Sequence, residues 1–412
     1  MRLNLPKPWP IVAMLCATAT AGYICRVNIS TAAPLLMEEF GLSQIAMGRI
    51  FSAFLLGYAL FQIPAGAIAD RFGARRILSW ITWLWFMFTI MQTFMGWGSY
   101  RLETTVALIV FIICRLLLGI SASPTYPGSA QGVSRWVIPR FQGRANGIVI
   151  ASIGLGSAIA PPLVSGIMVT MGWRVALIGS ALPALAAALI WLRIKEPENL
   201  AAITAVHSRT EPVQGSEYRK KLRSPSFYLL TISYTLQGYV GYIFVTWFYL
   251  YLVQERHFGL LTGAWMSSLP WILSIVSIPL GGYISDRLAA GKAGPVWGRR
   301  IVPLTGMALS GILISMGAHT GSAVMAAISL AFATAMILCV EGPFWAMMMQ
   351  IAGKRSGTAG GIMNMGSNLG GLISPALTPV IASLIGWENA LHVAAVLAIL
   401  GAFLWLGIKP AK

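Results

Sequence analysis
The chain has 412 residues, of which 57 % are hydrophobic and only 10 % charged. Soluble globular domains carry about a quarter charged residues, so this composition excludes one. The formal net charge of +17 suggests a nucleic-acid partner only until the charges are placed along the chain.

Twelve apolar runs, each long enough for a hydrocarbon core of about 30 Å, are separated by short polar breaks. They span 9–34, 46–69, 77–98, 104–130, 144–171, 174–193, 226–253, 260–285, 301–318, 322–352, 358–385 and 388–408. The sequence therefore predicts an all-α integral membrane protein with 12 transmembrane helices. With the N-terminus in the cytoplasm, 23 of the 29 Lys and Arg residues fall on cytoplasmic segments. Four (Arg49, Arg101, Arg174, Arg256) fall outside and two (Arg26, Arg115) within the membrane. Basic residues gather on cytoplasmic loops, so both termini are expected in the cytoplasm. The positive balance is topological, and nucleic-acid binding has no support. MRLNLPKPWP has the charge of a signal peptide, but the apolar stretch after it continues to Arg26 without a cleavage site, which predicts an uncleaved first helix. All four cysteines lie in spanning runs, so no extracellular disulfide framework is implied.

In chain order, the first run carries Arg26 in TATAGYICRVNISTAAP, and Glu38 and Glu39 mark an outer loop after it. The second run holds Tyr58 and Gln62 and ends in GAIADRFGARR, where Asp70 is followed by Arg71, Arg75 and Arg76. Trp80, Trp83 and Trp85 give the third run an aromatic face suited to lipid. The stretch 104–134, which contains the fourth run, carries one charge. Arg115 lies 12 residues past Glu103 and 20 before Arg135, too deep to snorkel. A lone charge at that depth is costly and faces a bundle interior or a wet cavity. It either bonds to carbonyls of a neighbouring helix or receives an anion, and the second intramembrane cation, Arg26, favours the anion. Prolines in SPTYPG break this run, and ANGIVIASIGLGSAIAPPL gives the fifth a small-residue face for close helix approach.

Residues 194–225 form the one long polar connection, a cytoplasmic linker whose Lys220, Lys221 and Arg223 suit anionic lipid. Tyr239, Tyr242, Trp247 and Tyr249 stud the seventh run. The tenth carries Glu341, 13 residues before Lys354 and so about 20 Å along a helix. A lone membrane carboxylate is a functional candidate; the alternative is a hydrogen bond to its own Pro-containing segment. His392, one turn beyond Glu388, is a weaker candidate, and His207, His257 and His319 read as loop residues. GSNLGG in the eleventh run lacks the lysine and strand of a phosphate loop. No Ser or Cys, His and acid fall at matching depth, so no hydrolytic site, metal or cofactor is expected.

The halves repeat. Asp70-Arg71 in GAIADR returns as Asp286-Arg287 in GYISDR. Gly143 and Gly357, Pro161 and Pro375, and Trp173 and Trp387 form three more pairs, which share one offset with each other and differ from the first by only two positions. Internal repeats flanking a central site mark transporters. The expected domains are an N-terminal six-helix bundle (1–193), the linker (194–225) and a C-terminal six-helix bundle (226–412), pseudo-symmetric and facing each other across a midplane cavity.

The repeated GxxxDRxGxRR-type loop, the twelve runs and the central linker resemble the major facilitator superfamily over essentially the whole chain. Within it the chain is similar to the anion:cation symporters, which include sugar-acid, tartrate and phthalate carriers and the vesicular glutamate carriers. The residues carrying this likeness are YICRVNIS (Tyr23, Arg26), GYALFQIPAG (Tyr58), RLLLGISASPTYPG (Arg115), TWFYLYLVQERHFGL and NMGSNLGGLISP (Asn364, Asn368). The resemblance implies anion binding by Arg26 and Arg115. Two family acids assigned to proton coupling are replaced here, by Cys25 and Ala122, which leaves Glu341 as the coupling candidate.

The sequence thus points to a secondary transporter, not an enzyme, importing a small organic carboxylate between Arg26 and Arg115. A planar guanidinium suits a carboxylate. Tyr23, Asn28, Tyr58 and Gln62 from the first half, with Tyr242, Trp247, Asn364 and Asn368 from the second, would complete the substrate site. Asp70, Arg71, Arg75, Asp286 and Arg287 would act as conformational latches. The expected partners are the organic anion, H⁺ or Na⁺, and the bilayer of the inner membrane, with the protein a monomer. The alternatives are an uncoupled exchanger or uniporter, or a transporter-like receptor.

Overall fold
The computed structural model describes residues 9–95, 103–194, 222–352 and 356–409, and no strand occurs among them. In chain order the helices are α1 (Trp9–Phe40), α2 (Gln44–Phe72), α3 (Ala74–Thr93), α4 (Thr104–Ala122), α5 (Thr125–Trp136) and α6 (Pro139–Arg193). There follow α7 (Pro225–Thr246), α8 (Phe248–Gln254), α9 (Leu260–Ala290), α10 (Gly294–His319), α11 (Ala323–Cys339), α12 (Glu341–Ala352) and α13 (Ser356–Leu404).

Among the described residues, local breaks convert these helices into twelve crossings. The 55 residues of α6 and the 49 of α13 each bend back on a glycine, Gly172 (φ 80°) and Gly386 (φ 86°). A residue without Cβ takes that backbone conformation at no steric cost, so each GW turn joins two spans. Conversely, α4 and α5 form one span interrupted at Ser123-Pro124, α11 and α12 one interrupted at Val340, and α7 and α8 one bent by 51°. Glu38 and Glu39, expected in a loop, occupy the last turn of α1, and His319 ends α10.

The repeat is visible in the backbone itself. Pro124 and Val340, where the fourth and tenth spans break, stand at the same offset as Asp70 and Asp286. Gly41 (φ 61°) and His257 (φ 55°), both in the left-handed region, share that offset too. The fold is therefore two pseudo-symmetric six-helix bundles. The compact units are Met1–Leu42 with Ala53–Pro212, and Ser43–Ser52 with Val213–Lys412. In the first, α1 and α3 pack along α6; in the second, α7 and α10 pack along α13. The first turns of α2 group with the second unit: Gln44 donates to Gln254 Oε1 and accepts from Trp387 Nε1, both at 3.1 Å. Ser52 Oγ donates to the Leu372 carbonyl at 2.8 Å. Of the expected linker, 195–221 lie outside the described residues, Lys220 and Lys221 included.

Polar side chains tie helix ends within each unit. In the first unit Glu39 accepts from Trp173 Nε1 at 2.6 Å and from both Nη atoms of Arg174, at 2.6 and 3.1 Å. In the second, Arg256 donates to the carbonyls of Gly317, Ala318 and Thr320 at 2.7–2.9 Å and to Tyr251 Oη at 2.7 Å. Those carbonyls end α10 and have no donor to accept from within the helix, and a cation there also meets the negative end of the helix dipole. Replacing Arg256 with Ala is expected to destabilise the protein by about 2 kcal/mol, read as a lower melting temperature in detergent with unchanged substrate selectivity.

Candidate substrate site
In the first unit the two membrane arginines meet around α1. Gly57 of α2 lies against the Leu116 carbonyl and Gly119 of α4 against the Phe54 carbonyl, with no space for a Cβ at either. This crossing brings α4 close enough for Arg115 to reach α1. Arg115 is 1 % exposed. Its Nη1 donates to the carbonyls of Cys25 (3.2 Å) and Arg26 (3.3 Å), and its Nη2 to Asn28 Oδ1 (2.8 Å). A carbonyl has two lone pairs, so the helical oxygens accept these bonds in addition to their own. Asn28, itself fully buried, passes the network on by donating to Ser180 Oγ at 2.9 Å. Hydrogen bonds from a charged group contribute about 1.5–3 kcal/mol each, which offsets much of the cost of burying the guanidinium.

Arg26 is placed differently. It is half-buried, donates from Nη1 to Tyr23 Oη at 3.2 Å, and lies 4.9–5.5 Å from the ring centroids of Tyr23, Phe54 and Tyr58. Aromatic faces hold a cation with little desolvation. Tyr58 stacks on Phe54, and Tyr23 Oη lies 3.5 Å from Tyr126 Oη. Tyr126 stands at the start of α5, just past the break in the fourth span, and its side chain is accessible. Arginine, three phenols and a buried guanidinium behind them can pair an anion and bond hydroxyl groups. Gln62 is half-buried on α2. Cys25, where the family often has an acid, turns its thiol to the Ser180 carbonyl at 3.9 Å.

In the second unit Glu341 opens α12 at the break in the tenth span. One carboxylate oxygen accepts from Tyr234 Oη and from Trp345 Nε1 (3.1 Å), the other from Gln237 Nε2 (3.4 Å). The acid is thus held by three neutral donors from its own helix and α7. Tyr242 is half-buried against Gly371, and Asn364 and Asn368 lie on α13, the former half-buried and the latter buried. Trp247 is fully buried, donates to the Pro375 carbonyl at 3.2 Å and packs on Phe51 and Trp387. Tyr239 and Tyr249 likewise bond protein partners, Thr378 Oγ1 (3.2 Å) and the Leu260 carbonyl (3.1 Å).

The Major Facilitator Superfamily pattern matches residues 14–374. The chain belongs to the major facilitator superfamily. It is 30 % identical to the probable sulfoacetate transporter SauU of Cupriavidus necator, over 92 % of this chain and 88 % of that one. The hexuronate transporter of Bacillus subtilis is 26 % identical over the same shares, and that organism's probable galactarate/D-glucarate transporter GudP 28 % over 92 % and 87 %. Among solved structures, a bacterial homologue of the human lysosomal transporter Spinster shares the fold, with a TM-score of 0.78 at 17 % identity over 99 % of each chain.

In this major facilitator protein, local sequence had shown Arg26, Tyr23 and Arg115 but not Tyr126, Ser180, Tyr234 or Gln237. Tyr126 lies about three helical turns past Arg115, and that spacing was the available signal. Trp345 is one turn past Glu341 and was equally legible. Tyr234 and Gln237 reach Glu341 from a distant helix, and no sequence signal marks them. Of the latch residues, the Asp70 side chain lies outside the described residues. Arg75 donates to the carbonyls of Trp191 (3.3 Å) and Leu192 (2.8 Å), Arg71 lies over Phe72, and Arg287 over Tyr283. Asp286 pairs with Arg299, a partner in the first turns of α10 that the repeat motif does not contain.

Proposed function
We propose that this transporter imports a small organic anion, a sugar acid or related carboxylate, by alternating access across the inner membrane, with both termini cytoplasmic. The observation that carries the reading is Arg26, half-buried within a membrane bundle among tyrosine hydroxyls, with Arg115 fixed behind it. Two intramembrane cations attract an anion, and phenols suit its hydroxyl groups. The names of the three relatives, all transporters of organic anions, support the same substrate class. Import of an anion works against a negative-inside potential of about 2.3 kcal/mol per charge per 100 mV, so a co-transported cation is needed for accumulation. Glu341 is the group assigned to carry a proton. Cys25 and Ala122 in place of family acids favour a second reading, substrate exchange without ion coupling.

The direct test is thermal stabilisation of the purified protein by a panel of sugar acids, with neutral sugars as controls. Stabilisation by the neutral sugars alone would refute the anion assignment. The latch residues are assigned to the conformational cycle, not to substrate. Asp286→Asn, which weakens the pair with Arg299, is expected to change the uptake rate while leaving equilibrium affinity within a few-fold. A collapse of affinity with an unchanged conformational balance would overturn that role.

A further inference from the structure
We propose that Tyr234 is the positioning residue of the coupling acid: its hydroxyl holds Glu341 toward α7 and sets the pH at which that acid takes up its proton. This rests on the proton-coupling role assigned to Glu341 above and deepens it.

Glu341 needs an outside group to fix its direction, because the span that carries it is broken there. α11 ends at Cys339, Val340 is the joint, and Glu341 is the first residue of α12. Helix α9 meets this joint at the level of the main chain, with Gly281 against the Cys339 carbonyl and Gly342 against Gly282. The carboxylate reaches α7 instead, where Tyr234 and Gln237 stand.

Its three donors are not equivalent. Trp345 lies about one turn further along α12 and moves with the acid. Gln237 approaches only to 3.4 Å and also donates to the Ile337 carbonyl at 3.3 Å. Tyr234 shares Oε1 with Trp345 and is the firm tie from a second helix. It is 3 % exposed, and its ring packs on Phe344 at 4.8 Å between centroids, which packs in turn on Trp405. The phenol is thus held in place while the acid changes charge.

The chemistry of the three differs too. Indole and amide N–H groups only donate, whereas a hydroxyl can donate to the carboxylate and accept from the protonated acid. Each bond to the charged form favours ionisation. Among the described residues Glu341 forms no ion pair. The charged groups of the helices packed on α12 are engaged elsewhere. Asp286 of α9 pairs with Arg299 of α10, Arg287 lies over Tyr283, and Arg300 donates to the Ile408 carbonyl. His319 of α10 and His392 of α13 face Glu388. Of the other titratable groups, Tyr239 of α7 bonds Thr378, the Cys339 thiol bonds the Met336 carbonyl, and Tyr242 stands near Tyr234 on α7. The phenol therefore makes the bond that most affects proton loading.

The test uses the full-length protein reconstituted in liposomes. Infrared difference spectroscopy follows the protonated-carboxyl band that Glu341→Gln removes, titrated against pH in wild type, Tyr234→Phe and Gln237→Leu. The expected midpoint for Tyr234→Phe lies at least about one pH unit above wild type, with a smaller rise for Gln237→Leu. The pH profile of gradient-driven uptake should move with it, while substrate KM in exchange stays within a few-fold. A ring-fluorinated tyrosine at position 234 keeps the hydroxyl and the packing, donates more strongly, and should lower the midpoint. An unmoved midpoint in both Tyr234 variants, or a larger shift from Gln237→Leu, would overturn the positioning role and leave Glu341 as the coupling group. Undiminished gradient-driven accumulation by Glu341→Gln, or no carboxyl band lost in it, would overturn the coupling reading and this inference together.

Discussion

Arg26→Ala is expected to abolish uptake while leaving the protein folded, and Arg115→Ala to abolish it by destabilising the first bundle. The two losses have different physical origins. Removing Arg26 deletes the cation that meets the anion, a contact worth about 3 kcal/mol or more in a partly desolvated site, or roughly a hundredfold in affinity. Its neighbours Tyr23, Phe54 and Tyr58 lose a cation–π partner, and Tyr23 Oη, which loses the bond from Arg26, still faces Tyr126 Oη. Removing Arg115 strands Asn28 Oδ1 and deletes three bonds between α4 and α1. The melting temperature in detergent should therefore fall for Arg115→Ala and stay near wild type for Arg26→Ala. Arg26→Lys should recover little transport, because an ammonium keeps the charge and loses the planar fork. Arg115→Lys should recover little stability, since one ammonium cannot reproduce the guanidinium's reach to acceptors on Cys25, Arg26 and Asn28 together. Full uptake by Arg26→Ala would remove the anion site from this part of the molecule.

Glu341→Gln is expected to lose stimulation by an inward proton gradient yet retain substrate-for-substrate exchange. The geometry makes this substitution a clean probe. The amide oxygen can replace the carboxylate oxygen that accepts from Tyr234 and Trp345. The new amide NH₂ gives up only the long contact from Gln237 at 3.4 Å, and Gln237 Nε2 keeps its bond to the Ile337 carbonyl at 3.3 Å. Packing is preserved, and what disappears is the ability to bind and release a proton. Uptake into proteoliposomes after an imposed pH step separates the two activities. Gradient-driven accumulation at the wild-type level would exclude Glu341 from coupling and leave Na⁺, His392 or plain exchange. His392 now has its own structural partners, Ser315 Oγ at 3.2 Å and Glu388 at 3.7 Å.

Composition and charge placement were enough for the membrane class, the twelve spans, the two deep arginines, the lone tenth-span acid and the repeat. Each depends on the transfer cost of a segment or a residue, which is a local property of the chain. Gly172 and Gly386 illustrate the point: both stand in a GW pair between apolar runs, and both take the positive φ that lets one continuous helix become two spans. What the chain could not disclose was how each helix is rotated about its axis. A span that is apolar on every side, such as α4, has no polar face to reveal which way it turns, so Arg115 read as a ligand for an anion, with neighbouring carbonyls as the alternative. What the tertiary structure adds is the close crossing of α2 and α4 at Gly57 and Gly119, which carries the guanidinium onto the main chain of α1. The same holds for Tyr234 and Gln237 on Glu341, and for Arg299 on Asp286. Side-chain pairs between distant segments depend on helix crossing and rotation, and these are set by the packing of the whole bundle.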